Sequence, residues 1–377
     1  MTHRERVLAA LRRQPSDRVP LDLGASASST VTACFHERLR AHLNLPAEPP
    51  PVAYARRNST VIPDDVILER FGVDTRPVLL GTPDAQPERA IDADSFVDDW
   101  GVTWRRPSGG HFINCDGPFY KLTDPAPKDL ERYSWPDVND PGRYRGVREW
   151  ARRLREQTDC AVVLNLLAGP VHQSQWLRGY EAWLEDLLLR PKFVEAMAER
   201  ITDVWVGIAT RALEEAGEFV DLVTYGDDIA MQRSPLMRLE LYRRLIKPQH
   251  TRMVATARRF GKPVLYHCCG SVYSLIPDLL EVGVDALNPV QVAAANMDTQ
   301  RLKLEFGRDL TFWGAIDTQR VLPLGTPEEV RAEVKRRIED LGPGGGYVLC
   351  PVHNVQPDVP PANIAAMFEA ALEFGQA

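Results

Sequence analysis

The run Val264-Leu265-Tyr266-His267-Cys268-Cys269-Gly270 carries an imidazole and a thiol two residues apart. On an extended chain, residues i and i+2 point to the same side, so His267 and Cys269 can grip one ion while Cys268 faces elsewhere. A further thiol, Cys350, ends the apolar run Gly346-Tyr347-Val348-Leu349-Cys350. Three nitrogen and sulfur ligands with a fourth position open are what catalytic zinc needs, whereas structural zinc is closed by four. Spacing alone leaves the alternative open that these are ordinary buried, metal-free residues. Cys34, Cys115 and Cys160 are isolated and read as ordinary thiols, and six cysteines are too few for a disulfide scaffold in a chain of 377 residues.

Other groups fall at the ends of apolar runs. Tyr225-Gly226-Asp227-Asp228, with Gln232 soon after, offers paired carboxylates that either cap a helix or work as acid, base or outer partner of a metal. Asp227 or water would fill the fourth metal position. Asn165 sets an amide within an apolar run, where it needs partners, and His172 follows the Ala168-Gly169-Pro170 turn; it is either a surface histidine or part of the site. Beyond Cys350, Pro351–Pro361 is polar and stiffened by prolines, and His353 is its first candidate for substrate binding or proton transfer.

These groups need a frame that gathers strand ends. Short Val/Leu/Ile runs alternate with helical patterns, the mark of a parallel α/β fold. Eight candidate strands result: 19–23, 77–80, 162–167, 222–226, 264–268, 286–289, 311–316 and 347–350. That number favours a closed (β/α)8 TIM barrel, whose strand ends converge on one mouth. Helices are expected over 180–188, 191–216, 239–260, 271–282 and 327–341, and a capped helix over the first 13 residues. The stretch 96–122 breaks the rhythm, with Trp100, Val102 and Trp104 alternating before Ser108-Gly109-Gly110, and reads as an inserted hairpin. Proline-rich 46–51 and 125–127 read as surface connections. The chain is expected to be one domain with insertions in its first 150 residues or so.

Hydrophobic residues make up 44% and charged residues 26%, and the net charge of −7 gives no basic surface for nucleic acid. Arg148–Arg155 alternates basic residues with Glu149, Trp150 and Leu154, as a solvated helix face does. No signal peptide and no membrane span is legible, so a cytoplasmic protein is expected.

The same residues make the chain resemble the uroporphyrinogen decarboxylase superfamily, and more closely its cobamide-dependent methyltransferase branch. The resemblance is carried by Arg18-Val19-Pro20-Leu21-Asp22, Gly226-Asp227-Asp228, His267-Cys268-Cys269-Gly270, residues 284–291 and residues 345–361. It implies a (β/α)8 barrel and a zinc site of HxC plus a distant Cys, carried over to His267, Cys269 and Cys350. Tyr266, Asn165, His172, Asp228 and Gln232 are expected to bind substrate, and Asp227 and His353 to act in catalysis. The decarboxylases carry an arginine-bearing segment where this chain has Asp22-Leu23-Gly24-Ala25-Ser26-Ala27-Ser28, which disfavours a polyacidic tetrapyrrole. The branch implies methyl transfer between a small molecule and a cobamide. No DxHxxG cobamide module is found here, so a separate corrinoid protein is expected as partner. Trp100, Trp104, Phe112 and Tyr120 incline the donor towards a methoxylated aromatic; a thiol acceptor of the coenzyme M type and a metal-free lyase are the alternatives.

Overall fold

The structure is a computed structural model that describes residues 1–46, 50–108 and 110–376, without the side chain of residue 167. Seven parallel strands form one curled sheet: β1 (Thr75–Val78), β2 (Ala161–Ala168), β3 (Leu222–Gly226), β4 (Val264–His267), β5 (Ala286–Val290), β6 (Thr311–Ile316) and β7 (Tyr347–Pro351). They lie side by side in chain order from β1 to β7. The eighth expected strand is a short stave across the gap. Leu349 N donates to Pro20 O at 2.9 Å, Asp22 N donates to Leu349 O at 3.0 Å, and Asp74 N donates to Leu21 O at 2.8 Å. The sheet thus closes through residues 20–22.

Side chains alternate as the pleat requires. Leu265, Ala286, Trp313, Val348 and Cys350 fill the barrel interior together with Val7, Ala10 and Leu11 of α1 (His3–Leu11). That helix plugs the end where the strands begin, and its capping box is formed, Thr2 accepting from Glu5 N and Glu5 from Thr2 N. Tyr266 and Cys268 face the other way, into the layer between sheet and helices.

The helix α2 (Pro170–Arg178) follows β2, and after the helix Tyr180–Leu189 comes α3 (Pro191–Ala216) with Phe193, Val194, Met197, Ile201, Val204 and Ile208 buried on one stripe. Each such side chain contributes roughly 1.5–3 kcal/mol by leaving water. The expected helix over 239–260 is interrupted: Tyr242–Ile246 is a π-turn leading into α4 (Lys247–Arg259). Pro248 explains the widened turn, since it has no N–H to donate to the preceding turn.

The insertion is larger than a hairpin. Arg89–Asp92, Ser95–Val97, Thr103–Arg105 and Ile113–Asp116 form a four-stranded antiparallel sheet. Gly109 of the expected 108–110 turn and residues 47–49 of the proline-rich 46–51 connection lie outside the described residues. No helix among the described residues is long and apolar enough to cross a membrane.

Candidate functional site

His267 ends β4 and points into the mouth of the barrel, where its Nε2 lies 3.5 Å from the Cys269 Sγ. A neighbouring strand presses close: a Cβ on Gly226 would meet the His267 Cβ at 3.0 Å, so glycine ends β3. The third member of the cluster is His353. Ligand atoms of His267, Cys269 and His353 all lie within 4.8 Å of one another, a spacing at which they can hold a metal ion. His353 is carried over the mouth by the loop after β7, pinned on one side by Val352 N donating to Ile316 O at 2.9 Å and on the other by Val355 N donating to Thr30 O at 2.8 Å.

Cys350, expected as the third ligand, lies outside this group of ligand atoms. It does point inward, but one layer down, fully buried among Ala25, Trp313 and Val348. Its Sγ donates to Pro351 O at 3.2 Å and lies 3.8 Å from the Nδ2 of the Asn288 amide. Burial pushes its thiol well above the ordinary range, as it does that of Cys269.

The donors are prepared for a cation. Asn288 Oδ1 lies 2.6 Å from His267 Nδ1. An amide oxygen only accepts, so Nδ1 carries the proton and Nε2 presents its lone pair to the cluster. Burial pushes His267 down to about 4 and lowers His353, keeping both imidazoles neutral at neutral pH. Burial and the charge of Asp228 push the Cys269 thiol well above its usual range, a state that an incoming cation reverses.

Asp228 stands at the rim. It accepts from Cys269 N at 2.7 Å and faces His172 Nε2 at 3.5 Å and His267 Nε2 at 3.9 Å. Burial works against its charge, but the hydrogen bond with His172 and the neighbouring imidazoles hold its carboxyl well below the usual carboxylate range. His172 shows the reciprocal: burial disfavours its charge, yet the hydrogen bond and charge of Asp228 raise it. The His172 ring stacks on Trp176, with centroids 5.4 Å apart and planes 6° from parallel. Asn165, His172, Asp228, His267 and His353 all line one cavity of about 210 Å³.

Three other expected site residues do not reach that cavity. Asp227 is fully buried, accepting from Val171 N at 2.8 Å, His172 N at 2.6 Å and His250 Nε2 at 2.9 Å. Its carboxylate seats the N-terminus of α2, where the helix dipole favours an anion, and is turned to these three donors. A Cβ on Gly169 would lie 2.5 Å from that carboxylate, so only glycine permits the approach. Tyr266, on the outer side of β4, donates its hydroxyl to Asp227 O at 2.8 Å and stays fully buried. Gln232 is exposed, donating to Ala293 O at 2.6 Å and accepting from Gln291 at 2.9 Å; it clasps two loops.

Sequence reasoning missed Asn288, His250, Arg57 and Trp176. Asn288 had a signal, an amide in a buried run beside the HxC strand. The other three are brought in by a π-turn, a loop and a helix face that no local pattern ties to the site.

Comparison with known proteins agrees with this architecture. The profile of the family described as "Uroporphyrinogen decarboxylase (URO-D)" matches residues 111–374. The chain is 25% identical over 255 residues to a methylated-thiol–coenzyme M methyltransferase of Methanosarcina mazei, covering 66% of this chain and 62% of that protein. It is 22% identical to a methylcobamide:CoM methyltransferase of the same organism, over 99% of this chain and 98% of that one. A uroporphyrinogen decarboxylase of Methylococcus capsulatus is 25% identical, over 92% of this chain and 99% of that one. Among solved structures, a methyltransferase from Methanosarcina mazei superimposes with a TM-score of 0.69 at 20% identity, covering 99% of both chains, and establishes the shared fold. The chain belongs to the uroporphyrinogen decarboxylase (URO-D) family.

Proposed function

We propose that the protein is a zinc-dependent methyltransferase that passes a methyl group from a small-molecule O-methyl donor to a cobamide carried by a separate corrinoid protein. The observation that carries this reading is the convergence of His267, Cys269 and His353 at the barrel mouth. The donor set fits zinc: one thiol, two imidazoles held neutral, and a tautomer fixed by Asn288. Bound there, zinc would supply a Lewis acid that polarises the oxygen bearing the methyl group. One thiolate rather than two quenches the ion less, which favours polarising an ether over preserving a thiolate nucleophile.

The chain's own groups do the rest. Asn165 and His172 line the cavity beside the cluster, and Asp228 holds His172 in place through its rim contact. Trp176, stacked on His172, extends an aromatic wall away from the metal ligands. The named methyltransferase relatives support methyl transfer and the corrinoid partner, and a cytoplasmic setting accords with that partner. A uroporphyrinogen decarboxylase is also among the relatives, but residues 22–28, where the decarboxylases carry arginine, have none.

Those relatives also favour a second reading, in which a methylcobamide gives its methyl to a thiol. One experiment separates the two. Zinc-loaded protein is mixed with free cob(I)alamin and a panel of methoxylated aromatics, and methylcobalamin is read by absorbance. Its appearance, abolished by chelator, is the expected result. No methylcobalamin, with demethylation of added methylcobalamin by 2-mercaptoethanesulfonate, overturns the O-methyl reading in favour of the thiol one.

A further inference from the structure

A second chamber of about 230 Å³ adjoins the first, and the two share Arg57 and Trp176 on their common wall. Its lining is aromatic: Trp104 meets Trp176 edge to face at 5.5 Å, and Trp100 stacks on Trp205 at 5.7 Å. The acids on its wall are already engaged. Asp98 accepts from Trp100 N, Val102 N and Trp104 Nε1, and Asp99 pairs with Arg143 at 2.8 Å.

The donors are not. The Arg57 guanidinium lies 4.0 Å from the centre of the Trp176 ring and 5.7 Å from that of Trp104, and makes no hydrogen bond or ion pair among the described residues. Burial lowers it to about 10, so it stays charged at neutral pH. Buried side-chain atoms without a partner on this wall are Arg143 Nε, Gln173 Nε2 and Trp205 Nε1, and all three are donors. A buried donor left unpaired costs about 1–3 kcal/mol, and a guanidinium held against aromatic faces, its charge offset only at a distance by Asp98 and Asp99, keeps its donors open to an anion. A neutral apolar ligand would fill the space and leave the Arg57 guanidinium without a partner.

We propose that this second chamber holds the far end of the methyl donor, and that Arg57 anchors a carboxylate there. The substrate class is then an aromatic methyl ether with an anionic group on the side of the ring away from the methoxy group. The inference rests on the O-methyl reading for its orientation, with the methoxy end at His267, Cys269 and His353. The guanidinium supplies planar paired donors for a carboxylate, and the tryptophan walls take the ring.

The test is equilibrium binding by titration calorimetry, which needs no turnover. The probes are 4-methoxybenzoate and the uncharged 4-methoxybenzyl alcohol, each against wild type, R57A and R57K. Wild type is expected to bind the benzoate at least tenfold more tightly than the alcohol. R57A should weaken the benzoate roughly tenfold or more, as loss of a charge-assisted hydrogen bond predicts, and change the alcohol less than about threefold. R57K should fall between. Equal loss for both probes, or unchanged benzoate binding in R57A, overturns the proposal. Arg57-dependent benzoate binding without methyl transfer to cob(I)alamin upholds the anion subsite and removes the O-methyl reading instead.

Discussion

Asn288 Oδ1 sits 2.6 Å from Nδ1 of His267, and this contact decides which nitrogen of the ring faces the cluster. The amide is itself oriented from below, its Nδ2 lying 3.4 Å from Trp313 O and 3.8 Å from Cys350 Sγ. Three layers of the barrel interior therefore act on one imidazole. A packing thiol and a strand carbonyl hold the amide, and the amide holds the histidine.

Asn288→Ala removes the acceptor and leaves Nδ1 buried without a partner. The ring is then free to change tautomer and to rotate. Loss of such an outer partner typically weakens metal affinity about 10–100-fold, while the fold should survive because the layer beneath is apolar. Zinc competition against a chromogenic chelator reads this directly, and unchanged affinity in the variant would show that the contact is incidental.

Asp227→Ala tests whether this carboxylate is structural. Three donors, including His250 Nε2, lose their acceptor in a fully buried place. The expected cost is about 3 kcal/mol or more, as for breaking a buried charged pair, read as a lower urea midpoint. Gly169→Ala should act in the same direction, since its new Cβ would collide with the same carboxylate. Wild-type stability with lost activity in Asp227→Ala would restore a catalytic role.

Much of the frame was legible because it depends on local patterns. β3 and β6 fall on the expected residues, as do α3 and the helix Pro327–Leu341. Period-two alternation also placed His267 and Cys269 on one side and Cys268 on the other, and by the same rule Tyr266 belonged with Cys268. What the pattern did not contain was height. Strands of a closed barrel are staggered by its shear, so two strand ends that look equivalent in sequence lie in different layers. Cys350 pairs with Ala315 inside the barrel, whereas His353, past the strand end, rises to the mouth. Asp227 and Asp228 diverge for a related reason: adjacent residues point apart, one into the N-terminus of α2 and the other to the rim.

Zinc binding should release one proton per ion between pH 7 and 8. His267 is held down at about 4 and His353 is lowered, so neither needs to lose a proton in that range. Cys269, raised by burial, is protonated without the ion and must give up its proton to bind. Affinity therefore rises with pH, by about a factor of ten per unit for a single released proton. Calorimetry in buffers of different ionisation enthalpy counts it. A count near two would mean that one imidazole starts charged.

The sharpest comparison sets His353→Ala beside Cys350→Ala. If the ligands are His267, Cys269 and His353, removing His353 leaves two donors, too few for the three-ligand site that catalytic zinc requires. Zinc should be lost on dialysis. Removing the Cys350 thiol instead leaves a small void in an apolar layer, which costs about 1 kcal/mol or slightly more, and the ion should stay. Elemental analysis of both variants after the same dialysis gives the answer together with a melting curve for each. Zinc lost from Cys350→Ala but retained by His353→Ala would mean that the loop after β7 repacks when the ion binds, drawing the thiol up and the imidazole away. In the structure Cys350 is fully buried and the loop is tied to Ile316 and Thr30, and the geometry favours His353.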